Sequence, residues 1–362
     1  MNLNNLGWQN DFQSAFEALN NSNLIPGRVA CEHPGIYTVY SESGDLEAKP
    51  SGRMKHLATS RAHLPAVGDW VAMHPRPDEH TATIHAVLPR QSAVSRQGSG
   101  AEPDEQIIAA NIDTVFVVSA LDGEFHPRRI ERYLTMIWDS GANPVVILSK
   151  ADLCNDVEKP LSELNAVAPG IPAHVITAET GWAIDSLDPY IGSGQTVATA
   201  GSSGVGKSTL INSLLGEKRL RVAAVRERDG LGRHTTTHRE LILLPTGGLI
   251  VDTPGMRTLH MWGDEDSLSS GFQDIENLFG QCQFRDCKHQ REPGCAIQAA
   301  LQSGHLDQGR WENYLSLQRE LARTERKKKH KARIQERQGR QKFQKSSRRK
   351  DKMQINRHFD DE

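Results

Sequence analysis

Gly201-Ser202-Ser203-Gly204-Val205-Gly206-Lys207-Ser208 reads as a phosphate-binding P-loop, and Thr209 carries it into a helix. A strand-like run, Thr196–Ala200, leads into it, and Lys207–Leu215 reads as the helix behind it. The glycines let successive backbone N–H groups turn toward phosphate oxygens. Lys207 is placed to reach the β- and γ-phosphates, and the Ser208 hydroxyl to ligate Mg²⁺. Downstream, Asp252-Thr253-Pro254-Gly255 ends another strand-like run, as a Mg²⁺-side aspartate and a switch II glycine should. A base-reading segment, Ser149-Lys150-Ala151-Asp152, stands about fifty residues before the P-loop. In an ordinary G domain it follows the P-loop. The reversed order predicts a circularly permuted G domain whose switch II is also its exit.

Asp152 can accept both the N1–H and the N2 amino group of guanine, which selects GTP over ATP. Lys150 would lay its alkyl stem along the base. Ser149 stands where Asn is usual; its hydroxyl can still make one local hydrogen bond, but the motif is weakened. Thr177-Ala178, after the next strand, occupies the place of a Ser-Ala pair that supports the base through backbone N–H groups. Between the P-loop and Asp252 lies Gly232-Arg233-His234-Thr235-Thr236-Thr237. Thr236 is the expected switch I ligand to Mg²⁺. The residue after Gly255 is Met256, where a Ras-type switch has a Gln that orients the attacking water. A thioether cannot do that. Hydrolysis is then slow unless another group or a partner acts, and His234 is the best local candidate. Lys207, Thr236 and His234 are the expected catalytic set.

Outward from these motifs the pattern is α/β over 98–270. Thr114–Ala120, Val145–Leu148 and His174–Thr177 read as strands, Arg129–Asp139 as a helix, and Glu240–Leu244 with Leu249–Val251 as a hairpin. Alternation of strand and helix predicts a mainly parallel sheet with ligands at its carboxyl edge. The polar, Gly-containing start of 98–112 reads as a linker. Upstream, 27–97 reads as five short strands in a small barrel, an OB-fold by preference, although an SH3-like barrel shares the pattern. Residues 1–26 form an extension in which Trp8, Phe12, Phe16 and Leu19 fall at helical spacing. A helix packed on its own protein is the favoured reading.

Downstream, 271–322 holds Cys282-x4-Cys287-x-His289-x5-Cys295, three thiolates and an imidazole that suit tetrahedral structural Zn²⁺ with no open position. Trp311, Tyr314, Leu315, Leu317 and Leu321 follow at helical spacing. The tail, 323–362, is basic, with Arg326-Lys327-Lys328-Lys329-His330-Lys331 and Arg348-Arg349-Lys350. The net charge of −2 therefore averages a basic tail with an acidic body. Such a tail binds polyanions with release of counterions, and RNA is the favoured partner. No run of eighteen apolar residues predicts a membrane span, and no secretory leader is visible. The expected setting is the cytoplasm, and the expected state a monomer.

A small barrel, a permuted GTPase, a Cys-Cys-His-Cys knuckle and a basic tail together resemble the small ribosomal subunit biogenesis GTPase family RsgA (YjeQ/YloQ). The resemblance covers nearly the whole chain. It rests most on Gly201–Thr209, His234–Thr237, Asp252–Gly255 and the spacing of Cys282, Cys287, His289 and Cys295. The family's hydrophobic residue in place of the catalytic Gln is matched by Met256, whereas Ser149 departs from the usual Asn. The resemblance implies a factor acting late in small-subunit assembly. It also implies barrel and zinc-module contacts to rRNA near the decoding region, and hydrolysis stimulated by the subunit. Two other readings share the motifs: a GTPase acting on another RNA, and a non-enzymatic RNA-binding protein whose nucleotide is structural.

Overall fold

The computed structural model describes residues 1–97, 105–122, 125–220, 239–252, 272–290, 292–319, 321, 322 and 326. Its backbone is an eleven-stranded sheet in which a closed barrel and an α/β sheet share one hydrogen-bonded order.

The barrel is built from β1 (Ile25–His33), β2 (Ile36–Ser41), β3 (Gly44–Pro50), β4 (Trp70–Arg76) and β5 (Thr81–Val87). Their order is β1-β2-β3-β5-β4, and β4 returns to pair with β1 over Ile25–Arg28. The β3–β5 pairing is parallel. Parallel neighbours need a crossover. Residues 51–69 supply it and include a short helix, α2 (Gly52–Leu57), the second in the chain after α1 (Asn10–Glu17). That arrangement is the OB type rather than a simple meander. Val29, Tyr37, Val39, Leu46, Ala48, Val71, Met73, Ala82 and Ile84 fill the interior. The third strand has a weak signal because Leu46, Ala48 and Pro50 carry its inward face while Asp45, Glu47 and Lys49 alternate with them.

The N-terminal helix α1 (Asn10–Glu17) packs on the barrel as expected. Trp8 meets Trp70 edge-on at 4.7 Å, and Phe12 lies 5.9 Å from the same ring. Leu19, by contrast, is exposed. Beneath them the buried Arg28 donates to the carbonyls of Leu6, Gly68 (3.3 Å) and Asn111 (2.8 Å). One side chain thus ties the extension, the barrel and the approach to the α/β sheet. With no carboxylate among these acceptors, burial pulls its pKa down to about 10, while Asp113 and Asp69 oppose the shift.

β6 (Ala93–Gln97) and β7 (Glu105–Ala110) form a separate antiparallel pair. The expected linker therefore ends in a strand: Ile107 and Ile108 are buried, which the polar residues before them mask in sequence. Residues 98–104, at its centre, lie outside the described set.

The α/β sheet runs β10-β9-β8-β11-β13-β12, with β8 (Thr114–Ala120), β9 (Asn143–Ser149), β10 (Ala173–Val175), β11 (Thr196–Ala200) and β13 (Leu249–Asp252) parallel. β8 is buried along its whole length, the signature of a strand covered on both faces. β12 (Glu240–Leu243) is antiparallel to β13, as the hairpin reading expects. It also meets β1 at Cys31↔Glu240, which joins the sheet to the barrel. Helix α3 (Pro127–Asp139) starts on Pro127, whose fixed φ suits the first turn, and buries Ile130, Tyr133, Leu134 and Ile137. α4 (Glu158–Val167) and α5 (Lys207–Leu215) complete the layers.

After the G domain come α6 (Gln273–Phe279), α7 (Ala296–Ser303) and a further helix, α8, over 308–319. Phe272, Ile275, Ile297, Trp311, Tyr314 and Leu317 share one buried cluster with Ile130, Leu134 and Ile137 of α3. Among the described residues, no helix is long and apolar enough to cross a membrane.

Candidate functional site

The carboxyl ends of β8, β9, β11 and β13 deliver the motifs to one edge of the sheet. Ala200 ends β11 and the P-loop begins at the next residue. Gly201 has φ +141°, and a Cβ there would lie 2.3 Å from the Val118 carbonyl oxygen of β8. Only glycine lets the loop leave the sheet so close to its neighbour. Gly206, at φ +95°, caps α5, whose first residues are Lys207, Ser208 and Thr209. The first N–H groups of α5 therefore point at the place where an anion would sit. Ser203, Gly204 and Val205 complete the turn. Lys207 Nζ folds back onto the Gly201 carbonyl (2.8 Å) and that of Ser202.

Asp252 is the last residue of β13, which pairs in parallel with β11. Burial pushes its carboxyl above the usual carboxylate range, and Glu240, its direct cross-strand partner, adds to this while Lys207 opposes it. A carboxylate so placed gains from a divalent cation.

Ser149 closes β9, and Lys150 follows in the left-handed conformation at φ +57°. The buried Ser149 hydroxyl donates to the Val205 carbonyl of the P-loop at 2.6 Å. Its one short bond thus ties the base-reading segment to the phosphate loop. Lys150 Nζ pairs with Asp122 at 2.5 Å, just past β8. The Ala151 N–H donates to the Ile176 carbonyl at 3.2 Å, which brings Asp152 and the Thr177-Ala178 pair to one corner. Thr177 exchanges both backbone bonds with Trp182 at 3.1 Å, so its N–H is committed within its own turn.

The structure thus brings together Ser149, Lys150, Ala151, Asp152, Thr177, Ala178, the loop 201–209 and Asp252. His234, Thr236, Gly255 and Met256 lie outside the described residues, as does the basic tail beyond Arg326. Two residues at this edge carry no sequence motif. One is Asp122, which holds Lys150. The other is Arg129 of α3, whose Nη1 donates to the Ser202 hydroxyl at 2.9 Å. Their roles depend on a neighbour about thirty or seventy positions away, and no local spacing announces them.

The second centre lies between α6 and α7. The ligand atoms of Cys282, Cys287, His289 and Cys295 all fall within 4.8 Å of one another. His289 Nδ1 is 3.5 Å from the Cys282 sulfur and 3.6 Å from that of Cys295. Tetrahedral zinc with ordinary Zn–S and Zn–N bonds places such atoms about 3.6 Å apart. The donor set and its spacing therefore fit Zn²⁺. Phe279 stacks on the His289 ring at 4.5 Å, Trp311 meets it edge-on, and Gln298 donates to its carbonyl at 2.8 Å. The two rings pack the imidazole in place, and Gln298 holds the backbone that carries it.

Known proteins resemble the chain in sequence and in fold. The sequence profile of the RsgA GTPase family matches residues 87–262. A protein of Opitutus terrae called small ribosomal subunit biogenesis GTPase RsgA is 46% identical over 331 residues, 89% of this chain and 90% of its own. Among solved structures, YjeQ from Thermotoga maritima is 28% identical with a TM-score of 0.61, covering 83% of this chain and 99% of its own. YloQ, described as a circularly permuted GTPase, shares the fold at 23% identity and TM-score 0.58, covering 83% of this chain and 96% of its own.

Proposed function

The chain belongs to the RsgA GTPase family, and from that premise we propose that it binds the small ribosomal subunit and hydrolyses GTP to GDP and phosphate late in that subunit's maturation. The observation that carries the reading is the convergence of the P-loop, Ser149–Asp152 and Asp252 on one sheet edge, in permuted chain order. Asp152 selects guanine, and Lys150, held by Asp122, flanks the base. On nucleotide binding, Lys207 trades the Gly201 and Ser202 carbonyls for β- and γ-phosphate oxygens. Ser208, Thr236 and Asp252 are the residues to hold Mg²⁺, which when bound neutralises phosphate charge. His234 positions the attacking water in place of the Gln that Met256 replaces.

Cys282, Cys287, His289 and Cys295 hold one structural Zn²⁺. The divisions at 1–26, 27–97, 98–270, 271–322 and 323–362 mark extension, barrel, G domain, zinc module and tail. The barrel, zinc module and tail engage rRNA, and the protein acts as a cytoplasmic monomer. GTP turnover, measured with and without isolated small subunits and with ATP as control, tests this reading. Stimulation confined to GTP and to small subunits is the expected outcome. Slow turnover that no subunit stimulates would refute it.

A further inference from the structure

Arg129 sits on the exposed side of the first turn of α3, beside the P-loop, with one guanidinium N–H on the neutral Ser202 hydroxyl. Among the described residues its charge meets no carboxylate. Its neighbours on the same turn face the other way and are tied down. Arg128 pairs with Asp307 and with Glu131. Glu131, 2% exposed, receives Arg310 and, at 2.6 Å, the Asn313 amide of α8. The turn is therefore anchored through its buried side to the C-terminal module. Its one outward arginine is presented to the loop from fixed backbone.

A guanidinium has five N–H donors in a rigid fork, and a single hydroxyl uses one. The match for the rest is an oxyanion, and the loop beneath is built to hold a chain of them. Ser202 lies near the start of the loop, on the side of the Lys207 ammonium, which bonds the Ser202 carbonyl. We propose that Arg129 is a residue of the phosphate site itself: a guanidinium supplied in cis by α3 that binds the terminal phosphate of the nucleotide. A cation at that point stabilises charge gathered on the transferred phosphoryl group. It would partly replace what the position of Met256 does not supply.

The inference rests on the nucleotide-site reading, so wild-type binding is measured first. Fluorescent GDP and a non-hydrolysable GTP analogue are titrated, with Mg²⁺, into full-length wild type, Arg129→Ala and Arg129→Lys. Melting without nucleotide monitors folding, and exposed Arg129 should leave it unchanged. The expected result is at least a tenfold loss of analogue affinity in Arg129→Ala, with GDP affinity within about twofold, and partial recovery in Arg129→Lys. Single-turnover hydrolysis should fall in step at saturating GTP. Equal losses for both nucleotides would overturn the proposal and make Arg129 a buttress acting through Ser202. No loss for either would overturn it as well. Absence of nucleotide binding by wild type would instead refute the function proposed above.

Discussion

Replacing Arg310 with Met should show how the C-terminal Cys/His module is held to the G domain. Arg310 donates to both Asp274 carboxylate oxygens at 2.6 and 2.7 Å, reaches Glu131, and lies 4.7 Å over the Phe272 ring. Methionine preserves apolar packing and removes the charge. Breaking a buried pair on one side costs about 3–5 kcal/mol because the other charge stays behind. Glu131 keeps the Asn313 amide and Arg128 at 3.4 Å, so the lower end applies. Asp274 is half exposed and adds only about 0.5 kcal/mol. The loss is thus about 3.5 kcal/mol, roughly 7–14 °C for the module melting as one unit with the G domain whose core it shares. Burial raises the Glu131 carboxyl above its ordinary value, and Arg310 is the first of the groups that oppose this. An acid with a raised folded-state pKa binds more protons folded than unfolded. Its stabilising contribution is whole below the ordinary carboxyl value and is lost as pH rises through the folded one. The deficit of Arg310→Met should therefore be widest at neutral pH and shrink toward about pH 4.5. Adding Glu131→Gln should restore more than half of it at pH 7. Denaturant melts of the zinc-loaded protein across this range measure both. A deficit independent of pH, or a double variant no more stable than the single, would refute the argument that Arg310 compensates a buried charge.

Ser149→Ala removes the 2.6 Å bond to the Val205 carbonyl and should cost about 1 kcal/mol, near fivefold in Kd, for GDP and GTP alike. Nucleotide titration checks this, and an unchanged Kd would show that the strut is dispensable. Cys287→Ser leaves three of four donors, so metal content by mass spectrometry should fall well below one zinc per chain and the module should melt earlier. Because burial raises the Asp252 carboxyl, Mg²⁺-dependent GTP binding should weaken on acidification at a higher pH than an exposed aspartate would allow. Asp252→Asn should lower Mg²⁺ affinity and abolish that acid limb, and an acid limb retained in the variant would assign it elsewhere.

Much of this was legible because the relevant rules are local. The P-loop and α5 follow from glycine conformation and helix start, and β8 from the apolar run Val115-Phe116-Val117-Val118. The hairpin at Thr246-Gly247-Gly248 and the Cys282, Cys287, His289 and Cys295 cluster are equally short-range signals. What sequence hid was long-range. β3 is weak because alanine and proline carry its inward face, and β7 because acidic and polar residues precede its buried half. Arg28, Asp122, Arg129 and Glu131 are ordinary charges by spacing. Arg28 finds acceptors 22, 40 and 83 positions away, and Glu131 meets Asn313 across 182. No window of sequence contains such pairs. By spacing Ser149 reads only as a base-site residue, and its bond to the Val205 carbonyl, 56 positions away, needs the structure.

The meeting of β1 and β12 has a practical consequence for dissecting the chain. β12 forms a ladder with β13 on one side and touches β1 on the other, at Cys31↔Glu240, while the Tyr40 hydroxyl donates to the Leu241 carbonyl at 3.3 Å. A fragment cut to the GTPase alone would bare that flank as a raw sheet edge, with buried Leu241 beside it. It would also strand the Asn111 carbonyl, which loses Arg28. Exposed edges template pairing between molecules. The barrel therefore serves as an intramolecular edge guard, and truncations that omit it would report on aggregation as much as on catalysis.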